Sequence, residues 1–293
     1  MKINDLIDSL KNKGKIYVIG HSNIDIDSAV SSKILSEILN KFGIDSAYAI
    51  LEKNYKFDEY NQKMVDACMN FNPVVIKNEE TNQYTFFLVD HNDYLQSVGS
   101  NAKIVGCIDH HPNSNKVNNA IITDTCATAL YIFKEFQDKY HFSSRQKFQI
   151  YMAFLNDSTF GKSSRYKASD EIIAKELGFK YDYNEMFKKY FVPTNLEQEI
   201  EKVLNNGLKS YKFGNTYFES GYVESFDIRK LKEYETAIKK RKNYLGIWID
   251  YTKNKTYVIF NYQNKIKKWK YDFVASRATT ILNEVLSYLN INK

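Results

Sequence analysis

The stretch Ile16-Tyr-Val-Ile-Gly20-His21-Ser-Asn-Ile-Asp25-Ile-Asp27-Ser28-Ala-Val-Ser-Ser-Lys-Ile34-Leu-Ser-Glu-Ile38-Leu39 contains two hydrophobic patterns, one after the other. Ile16 to Ile19 is a short unbroken apolar run closed by Gly20, as a strand buried on both faces would be. Ala29, Val30, Ile34, Leu35 and Ile38 then recur at helical spacing. The reading is strand, loop, helix. Further apolar runs lie at Ser46 to Leu51, Phe86 to Val89 and Ile104 to Ile108, with a short one near Ile121 and Ile122. Helical patterns fall at Tyr60 to Phe71, Ala127 to Tyr140 and Ser144 to Leu155. Parallel neighbours need crossover connections, so this alternation predicts an α/β domain, doubly wound, with a mostly parallel sheet and helices on both faces.

The segment Lys189-Tyr-Phe-Val-Pro-Thr-Asn195 precedes a helical stretch, Leu196 to Asn206, and the hinge is placed there. Residues 1–191 form the first expected domain and 195–293 a second, smaller α+β domain. In the second, a strand pair is expected near Thr216 to Glu224, a helix from about Ile228 to Tyr244, strands at Leu245 to Tyr251 and Lys255 to Tyr262, and a final helix from about Ser276 to Leu289. The formal charge of +6 is uneven. From Pro193 onward there are 18 Lys+Arg against 11 Asp+Glu, whereas the preceding residues hold 23 against 24. An acidic part suited to cations is thus followed by a basic part suited to anions. No window approaches the roughly 18 apolar residues of a membrane span, and the opening residues lack the apolar core of a signal peptide, so a cytoplasmic protein without membrane association is expected. Cys68, Cys107 and Cys126 have neither disulfide nor zinc-knuckle spacing and read as buried small residues.

Ligands of an open α/β sheet bind beyond the carboxyl ends of its strands, so the residues that follow each apolar run are the informative ones. They are acids and histidines: His21, Asp25 and Asp27 after the first run, Asp90-His91-Asn92 after Phe86 to Val89, and Asp109-His110-His111 after Ile104 to Ile108. Asp157 ends the helical run that starts near Ser144. Singly, each reads as a turn or capping residue. Together, carboxylates in one crevice repel and lose solvation unless cations neutralise them. Mixed imidazole and carboxylate ligands favour Mn²⁺, Fe²⁺, Co²⁺ or Zn²⁺ over sites where oxygen ligands prevail. On a loop, Asp25 and Asp27 could serve two adjacent ions while a shared acid bridges them. Two ions roughly 3.5 to 4 Å apart can activate a hydroxide for in-line attack at phosphorus, which makes phosphoester or phosphoanhydride hydrolysis the natural reaction class.

The runs His21-Ser-Asn-Ile-Asp25-Ile-Asp27-Ser28, Val89-Asp90-His91-Asn92-Asp93-Tyr-Leu-Gln96-Ser97, Asp109-His110-His111 and Asn156-Asp157-Ser158 resemble, in order and rough spacing, the four motifs of the DHH phosphoesterase superfamily. Within it, the likeness is greatest to the manganese-dependent (family II) inorganic pyrophosphatases. It extends to Cys126-Ala-Thr-Ala-Leu130, Lys162-Ser163 and the second domain. The resemblance implies that His21, Asp25 and Asp90 hold one metal and that Asp27, Asp90, His110 and Asp157 hold the other, with Asp90 bridging. It implies two Mn²⁺, with Co²⁺ as an alternative and Mg²⁺ accompanying the substrate. His111 would contact phosphate and assist protonation of the leaving group, while Asp109 and His91 orient their neighbours.

Substrate cations are expected in the second domain, where the resemblance points to Lys209 and to Arg277 in Ala275-Ser276-Arg277-Ala278-Thr279-Thr280. Ala278 and Thr279 stand where the family has lysines, and Ile24 and Ile26 where it usually has Pro and Thr. Nearby Lys265, Lys267, Lys268 or Lys270 could substitute for a missing cation, although they also read as a solvated edge. The first functional reading is therefore hydrolysis of inorganic pyrophosphate by a hydroxide activated between two metals, the basic domain closing over the site. Exopolyphosphatase or short-oligonucleotide phosphodiesterase action, and a degenerate phosphate-binding paralogue, stay open as alternatives. A nucleic-acid partner is not expected, and a homodimer is only what the resemblance suggests.

Overall fold

The computed structural model describes residues 3–54 and 56–291. The chain divides into two compact units, one taking the chain up to Gly161 with Arg165–Phe191, the other Lys162–Ser164 with the chain from Val192 onward.

The first unit runs α1 (Ile3–Leu10), β1 (Ile16–Ile19), α2 (Ile26–Lys41), β2 (Ser46–Leu51), α3 (Glu59–Cys68), β3 (Val74–Ile76), β4 (Thr85–Val89), β5 (Lys103–Asp109), β6 (Ala120–Ile122), α4 (Thr128–Phe136), α5 (Ser144–Asp157), α6 (Ala168–Glu176) and α7 (Tyr183–Tyr190). Its six strands form one sheet in the order β3-β2-β1-β4-β5-β6, and every pairing is parallel. The α/β sheet expected from the alternation is present. Ile19, Ala49, Leu88 and Cys107 cluster on one face, where Val98, Tyr84 and Tyr94 from the connecting turns pack against them. Helix α2 packs on β1, β2 and β4, and against α4 and α5. Because β1 and β4 are neighbours while the chain leaves them towards opposite edges, their carboxyl ends flank a topological switch point, the place where such sheets open a crevice.

Gly20 lets α2 enter that crevice. A Cβ there would lie 2.6 Å from Ser28 Cβ and 3.2 Å from Ser28 Cα, so only glycine permits the first turn of α2 to come this close to the end of β1.

The second unit contains α8 (Ile200–Leu204), β7 (Lys209–Phe213), β8 (Thr216–Ser225), α9 (Leu231–Lys240), β9 (Tyr244–Asp250), β10 (Lys255–Tyr262), β11 (Lys265–Tyr271) and α10 (Leu282–Tyr288). Its sheet has the order β11-β10-β9-β8-β7, parallel only between β8 and β9. Several expectations shift here. The strand pair near Thr216 is one strand, β8, hairpinned to an earlier strand, β7. The helix expected at Leu196 to Asn206 shrinks to α8, since Asn195 Oδ1 accepts the Glu197 N–H and ties the preceding residues into a turn. The helix expected to reach Tyr244 stops at Lys240, where Asn261 Nδ2 donates to the carbonyls of Ile238, Lys239 and Arg241. The final helix starts as a π-helical turn, Arg277–Ile281, capped by Ser276. Lys265–Tyr271 is an edge strand in full register with β10.

Candidate metal centre

The carboxyl ends of β1, β4 and β5 deliver the acids and histidines to the switch point. Asp25 caps α2, its Oδ1 accepting the Ser28 N–H at 2.9 Å. Its other oxygen lies 3.2 Å from His21 Nε2, which is also 3.3 Å from Asp90 Oδ2. Asp90 follows β4 directly with φ +61°, left-handed backbone that costs a non-glycine residue energy and that recurs at functional sites. Its N–H donates to Ile108 O at 3.0 Å, and its Oδ2 accepts the Ser28 hydroxyl at 2.7 Å.

Asp27 is fully buried, and both its oxygens accept backbone amides from the first turn of α4, Thr128 N at 2.7 Å and Ala129 N at 2.9 Å. An anionic group at a helix N-terminus satisfies otherwise orphan donors and meets the positive end of the helix dipole. The Cys126-Ala-Thr-Ala-Leu130 run therefore orients an acid about a hundred residues earlier in the chain.

His110 Nε2 lies 3.1 Å from Asp90 Oδ1 and 3.2 Å from Asp157 Oδ2. Neither ring nitrogen of His110, nor Asp90 Oδ1, forms a hydrogen bond among the described residues, although all three atoms are buried. Buried polar atoms that crowd one point without bonding one another are costly unless something between them is bound. Electrostatics agree. Burial, then the charge of Asp90, raises Asp27 to about 7. Burial and the Asp25 charge raise Asp90, while burial followed by repulsion from Asp27, Asp25 and Asp90 lifts Asp157 well above the usual range. Burial, followed by the Arg165 charge, lowers His110 to about 4, so its imidazole is neutral at pH 7 and able to donate a lone pair.

The potential ligand atoms fall into three overlapping groups, within each of which they lie within 4.8 Å of one another: His21, Asp25 and Asp90; Asp27, Asp90, His110 and Asp157; and Asp90, Asp109, His110 and His111. Asp90 belongs to all three. A donor set of imidazoles and carboxylates around a shared acid fits a pair of divalent transition ions.

The DHH family N-terminal domain model matches residues 15–156, which contain every one of these residues except Asp157. The chain carries a DHH-family domain. In sequence it is 26% identical over 234 residues to a Clostridium acetobutylicum protein named probable manganese-dependent inorganic pyrophosphatase, covering 75% of this chain and 73% of that one. A Staphylococcus epidermidis protein of the same name is 25% identical over 265 residues, 84% of this chain and 80% of that one. In fold, a Methanococcus jannaschii candidate family II inorganic pyrophosphatase superposes with a TM-score of 0.78 at 18% identity, covering 94% and 99% of the two chains. An exopolyphosphatase-related protein from Bacteroides fragilis gives 0.51 at 16% identity, covering 89% and 85%. The resemblance read from the motifs thus holds in both sequence and fold.

Of the remaining expected site residues, His111 is partly exposed, and its Nδ1 lies 2.8 Å from Asp109 Oδ1. Asp109 is fully buried and also accepts the His111 N–H and the Asn92 side-chain amide. His91 Nδ1 donates to Val89 O at 2.8 Å, which leaves its Nε2 as acceptor for the Ser97 hydroxyl at 2.6 Å; it joins none of the ligand groups. In the second unit, Arg277 Nη1 donates to Gly207 O at 2.6 Å and Ser220 O at 3.3 Å, and its guanidinium lies 4.8 Å from the Tyr222 ring centroid. Ser220 is the register partner of Lys209, so Arg277 bonds to the strand residue opposite Lys209.

Two contributors escaped the sequence reading. Ser28 positions Asp90, and Arg165 Nη2 donates to His110 O at 3.1 Å. Ser28 lies inside the first motif and could have been weighed as more than a capping neighbour. Arg165 had no signal beyond lying a few residues after Asp157. Among the described residues, no helix is long and apolar enough to cross a membrane.

Proposed function

We propose that this chain is a phosphohydrolase that splits inorganic pyrophosphate into two phosphates, using two divalent ions, Mn²⁺ first. His21, Asp25 and Asp90 would hold one ion, and Asp27, Asp90, His110 and Asp157 the other. The observation that carries the reading is the convergence of those ligand atoms on the buried, left-handed Asp90. The names of the similar proteins support both the metal and the phosphoanhydride.

When bound, the ions supply Lewis-acid polarisation of phosphoryl oxygen and a water that ionises near neutrality. The chain's own residues do the rest. Asp27 is held by α4 and Asp90 by Ser28, so both carboxylates are oriented by the chain itself. Asp109 engages His111 through Nδ1, which assigns Nε2 to the departing phosphate and to the proton that this oxygen takes up when the bridging P–O bond breaks. Lys209 and Arg277 supply positive charge for a polyanionic ligand, Arg277 with a guanidinium already oriented by two carbonyls.

Ala278 and Thr279, where the resemblance leads one to expect lysines, favour keeping a second substrate under test, a longer phosphate chain or a short oligonucleotide. Metal-stripped protein titrated separately with Mn²⁺ and Mg²⁺ is assayed for phosphate release from pyrophosphate, tripolyphosphate and a dinucleotide. Mn²⁺-dependent release with pyrophosphate preferred is expected. Preference for tripolyphosphate or the dinucleotide reassigns the substrate, and no hydrolysis of any of the three with saturating Mn²⁺ overturns the enzyme reading.

A further inference from the structure

Asn61 carries no ligand atom, yet it stands between two loops that do. It is buried in α3, and its Oδ1 accepts the Ile26 N–H at 3.1 Å and the Asn156 Nδ2–H at 2.8 Å. Ile26 lies between Asp25 and Asp27, and Asn156 directly precedes Asp157. An N–H can only donate, so the amide orientation is fixed, with Oδ1 towards Ile26 and Nδ2 towards Asp58 Oδ1 at 3.1 Å. Asp58 also accepts the Asn61 N–H at 2.7 Å as the cap of α3. Both lone pairs of one carbonyl oxygen are thereby used, one for the first turn of α2 and one for the last turn of α5, from positions 35 and 95 residues away in sequence.

The Ile26 N–H belongs to the peptide that joins Asp25 to the start of α2, and it has no partner within that helix. Its acceptor sets where the peptide sits, and with it the spacing of Asp25 and Asp27. The Asn156 amide does the same for the turn that ends in Asp157. We infer that Asn61 is a positioning residue that holds the Asp25/Asp27 loop and the Asp157 turn at the separation required for binding two cations. The inference rests on the two-metal reading above. Residues that orient metal ligands from behind typically change metal affinity ten- to a hundredfold when removed.

Metal-stripped parent protein, Asn61→Ala, Asn156→Ala and the double variant are titrated with Mn²⁺, and unbound Mn²⁺ is followed by its electron paramagnetic resonance signal. Far-UV circular dichroism and thermal midpoints are recorded for each. Asn61→Ala should raise the Mn²⁺ dissociation constant ten- to a hundredfold, Asn156→Ala by a smaller factor, and the double variant by no more than twice the Asn61→Ala value, because both act through one oxygen. A folded Asn61→Ala protein whose Mn²⁺ affinity stays within twofold of the parent, whatever its thermal midpoint, overturns the inference and leaves Asn61 a purely structural residue. If Asn61→Ala does not fold, Asn156→Ala decides, with affinity within twofold of the parent counting against the inference and a larger loss supporting it. A parent protein that binds no Mn²⁺ defeats the two-metal reading itself, a result distinct from equal affinity in parent and variant.

Discussion

Asp27 Oδ2 accepts the backbone N–H of Thr128 at 2.7 Å, so an acid at the start of one helix terminates another that follows about a hundred residues later. Asp157 belongs to the same ligand group but, among the described residues, accepts no helix-start amide; its Oδ2 lies 3.2 Å from His110 Nε2. The two acids should therefore respond differently to removal. Asp27→Ala leaves the Thr128 and Ala129 amides buried without acceptors, at about 1 to 3 kcal/mol per group, and should lower the thermal midpoint of metal-stripped protein. Asp157→Ala removes a carboxylate that burial and three neighbouring acids already oppose, and should leave that midpoint unchanged or raise it. Both variants should lose Mn²⁺-dependent phosphate release. Equal destabilisation of the two metal-stripped variants would contradict the anchoring role.

The raised carboxylates set a pH dependence. Asp27, at about 7 against an ordinary 3.8, binds more protons folded than unfolded between those values, so its contribution to stability is present below the lower value and lost as pH rises through the upper. Asp90 and Asp157 are raised as well and act in the same direction. His110, lowered from 6.5 to about 4, acts oppositely within that narrower range, one group against three. Metal-stripped protein should therefore lose thermal stability between about pH 5 and 7. Mn²⁺ bound at the proposed site would displace the protons that the raised carboxylates retain. Calorimetric titration at pH 6 in buffers of different ionisation enthalpy should show proton release on binding, fading above pH 8. Binding with no proton release at pH 6 would be inconsistent with this coupling.

Asp109 meets the proposed proton transfer through His111, whose Nδ1 it engages. Asp109→Asn keeps the shape but replaces an acceptor of the His111 Nδ1 contact, 2.8 Å away, with a group that can donate, so the ring loses its fixed proton arrangement. A loss on the order of 10- to 100-fold in kcat for pyrophosphate is expected, by analogy with other orienting carboxylates, with KM little changed. Steady-state kinetics separate the two constants, and an unchanged kcat removes the Asp109 carboxylate from the orientation of His111.

Gly20→Ala tests the close approach of α2 to β1. The added methyl would meet Ser28 Cβ at 2.6 Å, and Ser28 holds Asp90 Oδ2. The helix start must retreat, at roughly 1 to 3 kcal/mol for overpacking. Weaker Mn²⁺ binding should accompany the fall in thermal midpoint. A stability loss with unaltered Mn²⁺ affinity would separate the packing of Ser28 from the placement of Asp90.

What the sequence made legible follows from which residues carry a local signal. Strands β1, β4, β5 and β10 are dense apolar runs, and acids placed just after strand ends mark the crevice. Strand β11, Lys-Ile-Lys-Lys-Trp-Lys-Tyr, hides because an edge strand needs no buried face and gains from lysines that discourage further pairing. Strand β7 hides likewise, with alternating half-buried and exposed residues at the other edge. Within the site, His21, Asp25, Asp27, Asp90, His110 and Asp157 stood out by residue type, and the fold brings them together. Asn61 and the amides of Thr128 and Ala129 did not. Backbone donors have no residue signature, and an asparagine whose partners lie 35 and 95 residues away looks like any helix-start asparagine until the helices are packed.

Arg277 combines two roles that a single substitution would confuse. Its Nη1 bonds to Gly207 O and Ser220 O hold the turn before β7, and Gly207 has φ +54° and sits against the Tyr222 ring, so the turn has little room to adjust. Its charge is the part proposed to meet substrate. Arg277→Lys keeps a cation but loses the forked geometry, while Arg277→Met keeps much of the packing and loses the charge. If charge contacts phosphate, Arg277→Met should raise KM for pyrophosphate by a factor corresponding to roughly 1.5 to 3 kcal/mol, the worth of a charge-assisted hydrogen bond, and Arg277→Lys by less. If Arg277 only braces the turn, both variants lose thermal stability to a similar degree while KM stays at the parent value. Thermal midpoints measured beside steady-state kinetics decide between them, and a KM unchanged in both variants removes Arg277 from the substrate site.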